Sequence, residues 1–175
     1  GVVLLPDLSR RLRAGDEAGA MNSANRALEI SLFLTIPAAV ALMVIPHEII
    51  RALFQHGAFK AADTAAVAQA SIAFAAGLPA YAMTKVFQPS FYAREDTATP
   101  MRFAIASVVV NIAGSFLLAH YVGHWGIAAA TSLAAWTNAI LLGITLWRRG
   151  HFRFDARFRA RAPLIILSAI AMGGG

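Results

Sequence analysis

The chain has 175 residues, 58% of them hydrophobic and only 14% charged, with a net charge of +6 and a mean hydropathy of +0.62. Soluble domains carry about a quarter charged residues, so this composition argues against a soluble enzyme and for a chain that lives in lipid. No cysteine is present, which excludes a disulfide framework and thiolate metal sites.

In chain order, the opening Gly1-Val2-Val3-Leu4-Leu5-Pro6 has neither an initiator Met nor the basic segment of a signal peptide. It reads as the end of a preceding span over residues 1–5 and makes the sequence an internal piece of a longer protein. From Pro6 to Ala27, Leu8, Leu12, Ala18, Met21 and Ala24 recur at near-helical spacing, with Asp16 after Gly15 placed to cap a helix. This predicts an amphipathic elbow feeding a first full span at about 28–45, kinked at Pro37. The next loop groups Ile49, Ile50, Leu53 and Phe54 ahead of Gly57, which predicts a short interfacial helix.

Three further runs, about 65–86, 103–120 and 127–147, also approach the ~20 residues needed to cross a bilayer, and an incomplete one starts at 162. Gly77, Pro79 and Pro89 predict that the second span is bent or broken in its last half. Thr99-Pro100 supplies a cap and first-turn proline for the third. Small residues crowd the third and fourth spans, as close helix packing in lipid favours, and Asn111 and Asn138 are expected to bond between helices. Trp125 and Trp147 flank the fourth as an aromatic belt. The fold class is therefore all-α, a polytopic membrane helix bundle.

Orientation follows from the cations. Loops 6–27, 91–102 and 148–161 hold twelve of the 15 Lys and Arg, against two in the intervening loops, which places those three loops in the cytoplasm. The basic charge then follows from topology and pairs with anionic membrane lipids, with no need for nucleic acid. The same holds for the Arg and Phe alternation over 152–159, which is read as an interfacial anchor.

Catalytic chemistry has little to stand on. There is no nucleophile elbow, phosphate loop, dinucleotide fingerprint or histidine pair at metal-ligand spacing, so no enzyme, cofactor or metal site is expected. Lys85 is the one cation within a span; it either lines a hydrophilic cavity or snorkels to the headgroups.

Three segments then carry a resemblance: Leu5-Pro6-Asp7-Leu8-Ser9-Arg10, Leu53-Phe54-Gln55-His56-Gly57-Ala58-Phe59 and Phe91-Tyr92-Ala93-Arg94-Glu95-Asp96-Thr97-Ala98-Thr99-Pro100. In this order and spacing they resemble the MurJ (MviN) family, whose members flip lipid II, the undecaprenyl-linked peptidoglycan precursor, across the bacterial inner membrane. The resemblance implies the second lobe of a two-lobed MurJ/MATE-like transporter working by alternating access, with the N-terminal lobe of the same chain as its partner. It also implies motif roles for Pro6, Ser9, Gly57, Phe59, Asp96, Thr97, Thr99 and Pro100. His56 departs from the family, where many relatives carry Arg. Lys85, Arg94, Asn111 and Asn138 are the expected substrate contacts. A polysaccharide or multidrug exporter of the same superfamily would share this physics, and a non-transporting membrane scaffold stands as a third reading.

Overall fold

The computed structural model describes residues 4–44 and 61–152, which form five helices. They are α1 (Leu4–Arg13), α2 (Glu17–Val44), α3 (Ala61–Tyr92), α4 (Ala98–Val122) and α5 (His124–Arg148). Four of them, α2 to α5, are long and apolar enough to cross a bilayer, with qualifying stretches of 24 to 28 residues. The short helix expected near Ile49, the incomplete span from 162, and the motif residues Gly57 and Phe59 lie outside the described residues.

The predicted elbow is α1, a tight turn, and the first turns of α2. Asp16 Oδ1 accepts the Gly19 N–H at 2.8 Å, so Asp16 caps α2 as its position after Gly15 suggests. Asp7 fastens the two arms: its carboxylate accepts Ser23 Oγ at 2.8 Å and Arg11 Nε at 3.1 Å. Those bonds, the one from Ser23 foremost, hold its carboxyl below the usual range. Beyond the elbow, α2 continues without a break through Pro37 to Val44.

α3 runs unbroken through Gly77, Pro79 and Pro89, so of the expected bend or break the break is absent. A proline lacks the N–H that would pair with the carbonyl four residues back, so Pro79 leaves the Ala75 carbonyl without its donor. Side chains of α5 supply donors on either side of this point. Ser132 Oγ donates to the Ala73 carbonyl, and Trp136 Nε1 donates to the Ala76 carbonyl at 2.9 Å. These bonds go to the carbonyls beside Ala75 and tie the helix to α5 on both sides of the proline. The approach is close because Gly77 has no side chain: a Cβ there would stand 2.6 Å from Ser132 Oγ.

α5 is the centre of the bundle. α3 and α4 each pack along its length yet barely meet each other, and α2 packs on the far side of α3. Contact between α4 and α5 is again made by small residues, Gly114 against Ala130, with a hydrogen bond from Ser107 Oγ to the Ala134 carbonyl at 3.0 Å. The largest apolar cluster lies toward the arginine-rich end, where Leu28, Phe87, Phe91, Leu142, Leu146 and Phe152 are fully buried. Phe87 and Phe152 meet edge to face with centroids 5.4 Å apart. Much of α4 outside the α5 contact is exposed and apolar, with Phe116 at 76%. Trp125 and Trp147 are exposed near the two ends of α5, as a belt requires, whereas Trp136 is drawn inward by its bond to α3.

The turn between α3 and α4 closes like a Schellman motif: Asp96 N–H reaches the Phe91 carbonyl at 3.1 Å and Glu95 N–H reaches Tyr92 at 3.0 Å. Glu95 occupies the left-handed position, φ 61°, where glycine is usual. The cap of α4 is Asp96, correcting the assignment to Thr99. Asp96 Oδ1 accepts the Thr99 N–H at 3.0 Å, and Thr99 Oγ1 donates to Oδ2 at 2.7 Å. Pro100 sits buried in the first turn, as its missing N–H permits.

Candidate functional site

A cavity of about 240 Å³ opens between α3 and α4, with α5 as its floor. It exists because the two walls are held by α5 and not by each other. α3 contributes Tyr81, Thr84, Lys85 and Gln88; α4 contributes Ser107, Val108 and Asn111; α5 contributes Thr131 and Asn138 between small alanines. The spacing on α3 places all four of its residues on one helical face, so the apolar span carries a single polar stripe.

Three of the four residues expected to contact substrate therefore come together: Lys85, Asn111 and Asn138 lie on three different helices and line one groove. Lys85 stands seven residues before the end of α3, roughly 10 Å along the axis, and its side chain is exposed to the groove. The Asn111 carboxamide oxygen lies 3.3 Å from Ser115 Oγ and 3.4 Å from Thr131 Oγ1, and the latter hydroxyl is closer, at 3.0 Å, to the Ile127 carbonyl. This is the expected link between helices, though a long one. Asn138 differs, because its Oδ1 is buried with no hydrogen-bond donor among the described residues. A buried amide oxygen without a donor costs free energy, which is recovered when a partner with an N–H or O–H fills the groove.

Tyr81, Thr84, Gln88 and Ser107 were not singled out by the sequence reading, yet they line the same groove. Their signal is present in the spacing: Tyr81, Lys85 and Gln88 recur every three or four residues in a span where polar groups are otherwise sparse. Arg94, the fourth expected contact, lies elsewhere. It follows the last turn of α3 at the arginine-rich end, bonded to the Ser90 carbonyl and 3.7 Å from Glu17.

Of the motif residues, Asp96 and Thr99 join in the turn at the start of α4. Asp96 caps α4 and pairs with Arg149 beyond the end of α5, so one carboxylate ties two helices at the arginine-rich end. The Thr99 N–H first, then Arg149 and the Thr99 hydroxyl, lower its carboxyl to about 2. Arg149 also lies over the Phe91 ring, 5.8 Å from its centroid. Thr97 is exposed and makes no capping bond with its side chain, Pro6 is exposed, and Ser9 is half-buried in α1. Among the described residues no group of three or more His, Asp or Glu side chains is placed to hold a metal ion.

Comparison with known proteins gives this geometry a context. The chain is 45% identical over 174 residues to the probable lipid II flippase MurJ of Rhizobium tropici, covering 99% of this chain and 33% of that protein. It is 44% identical to the protein of the same description from Rhizobium meliloti (strain 1021), covering 97% of this chain and 32% of the other. Among solved structures, a lipid II flippase MurJ in an inward closed conformation superposes with a TM-score of 0.81 at 29% identity, over 98% of this chain and 34% of that one. The chain thus spans about a third of the length of the curated relatives it matches. The profile of the family described as lipid II flippase MurJ aligns with residues 1–174, and the chain belongs to that family.

Proposed function

We propose that this chain is part of a flippase that moves a lipid-linked peptidoglycan precursor, lipid II, across the bacterial inner membrane by alternating access. The observation that carries the reading is the groove in which Lys85, Asn111 and Asn138 converge from three helices of a membrane bundle. A phosphate-bearing, hydroxylated headgroup cannot cross hydrocarbon alone and needs a polar path, while its tail can remain in lipid. One ammonium for phosphate, an amide oxygen awaiting a donor, and a row of hydroxyls match such a headgroup better than an apolar drug. Loops 6–27, 91–102 and 148–161 are assigned to the cytoplasm by the distribution of cations in the sequence. No bond-making step is assigned to the chain, because binding and exposure to alternate faces are sufficient. The remaining two thirds of the protein supply the other lobe.

Lys85→Gln in the full-length protein tests this reading. It keeps a long polar side chain and removes the charge, which attraction of a phosphate requires and a headgroup anchor does not. The expected result is loss of growth in cells depleted of their own flippase, at unchanged protein level, with Lys85→Arg retaining growth. Full growth with Lys85→Gln would remove Lys85 from the transport path.

A further inference from the structure

Arg94 presents an unfilled fork. Its side chain is 16% exposed, and one hydrogen bond orients it, from Nη1 to the Ser90 carbonyl at 3.0 Å. Nε and Nη2 are both buried and have no acceptor within hydrogen-bond distance among the described residues. These two nitrogens form the side-on edge of the guanidinium, whose parallel N–H groups match two oxygens of a phosphate or carboxylate. Glu17 Oε2 stands across that edge, 3.7 Å from Nη2 and outside hydrogen-bond distance, and its side chain is 58% exposed.

Other charged groups stand close. His151, half-buried, feels Arg94 and Arg149 as well as Glu17, and its ring is pushed below the usual value chiefly by burial and then by those two arginines. Arg149 is already committed to Asp96. Burial likewise lowers Arg94, with Glu17 opposing. A buried charge with two of its three nitrogens unbonded is costly unless an anion completes it.

We propose that the Nε–Nη2 edge of Arg94 is a binding site for a phosphate ester, opened when the exposed Glu17 carboxylate swings aside. The site is separate from the groove that holds Lys85 and does not depend on what that groove carries. Two sources share the chemistry: the headgroup of an anionic phospholipid and a soluble phosphomonoester.

The test uses the purified full-length protein and the variants Arg94→Gln, Arg94→Lys and Glu17→Gln. Native mass spectrometry counts phosphatidylglycerol retained per protein, and thermal unfolding in lipid-free detergent is followed with added sn-glycerol 3-phosphate. If the source is lipid, Arg94→Gln lowers phosphatidylglycerol retention about 10-fold, the scale of a lost bidentate pair. Arg94→Lys falls between, and Glu17→Gln raises retention because the competing carboxylate is gone. If the source is soluble, retention is unchanged, but glycerol phosphate stabilises the wild type, stabilises Glu17→Gln more strongly, and has no effect on Arg94→Gln. Glu17→Gln needs no loss of function to be informative, which guards against a misfolded Arg94 variant. The proposal is overturned if Arg94→Gln alters neither readout, as when an acidic side chain of the same protein fills the fork. It is also overturned if Glu17→Gln weakens binding as Arg94→Gln does, for then Glu17 orders the site instead of competing for it.

Discussion

Replacing Gly77 by alanine puts a methyl group into the contact between α3 and α5. The new Cβ would lie 2.6 Å from Ser132 Oγ and 3.1 Å from both Ser132 Cα and Cβ, where ordinary contact begins at 3.4 Å. Rotating the hydroxyl away relieves the shortest clash but abandons its bond to the Ala73 carbonyl, worth about 0.6 kcal/mol for a typical interhelical bond in a membrane protein. The Cα and Cβ contacts remain, so the helices must part by at least about 0.3 Å, and overpacking of this kind costs about 1–3 kcal/mol. Alanine returns up to about 1 kcal/mol through helix propensity. The net expectation is destabilisation by about 1–2 kcal/mol. Unfolding of the full-length protein in mixed micelles by added SDS measures it. Adding Ser132→Ala removes the hydroxyl clash, so the double variant should lose less than the two single variants summed. A Gly77→Ala protein as stable as the wild type would refute the claim that these helices touch here through the missing side chain.

Three other outcomes follow from the arginine-rich end. Asp96→Asn keeps an oxygen for the Thr99 N–H and should cost up to about 1 kcal/mol at neutral pH through the lost charge pair with Arg149. Because the folded carboxyl sits at about 2, below its ordinary 3.8, the wild-type advantage is present above pH 4 and fades as pH falls from 4 toward 2, which thermal unfolding across that range will read. Glu95→Gly relieves a left-handed residue and should raise stability by about 0.5–1 kcal/mol, net of the added freedom of the unfolded chain. Single cysteines at Ala14 and Ala98 should be shielded from an impermeant thiol reagent in intact cells while one at Gly123 reacts; labelling in the opposite sense reverses the topology.

The spans were legible because length and apolarity decide them: no alternative to a helix pairs the backbone groups of some twenty residues in lipid. Asp16 was legible as a cap, since a carboxylate after a glycine turn has one obvious use. At Pro79 a bend or a break was expected, and no break occurs. Ser132 and Trp136, more than fifty residues away in sequence, tie the helix to α5 on both sides of the proline. Thr99 lost the cap to Asp96 for a similar reason: a carboxylate three residues earlier takes the same N–H and also gains Arg149, a partner visible only after folding. In the groove, Lys85, Asn111 and Asn138 stood out as polar groups in lipid. Thr84 and Ser107 did not, because membrane helices commonly satisfy such hydroxyls on their own carbonyls, as Thr84 does at 3.0 Å to Ala80.

The walls of the groove are gauged by their contacts with its floor, at positions further along the same helix faces. Gly77 seats α3 on Ser132 and Gly114 seats α4 on Ala130, and neither contact involves a groove-lining residue of α3 or α4. Width and lining are thus set by different positions in the sequence. Side chains at Tyr81, Lys85, Gln88 or Asn111 can be exchanged without prising the helices apart, so the chemistry offered to a cargo is free to drift while the frame stays fixed. A methyl added at either glycine would change the aperture for every cargo at once.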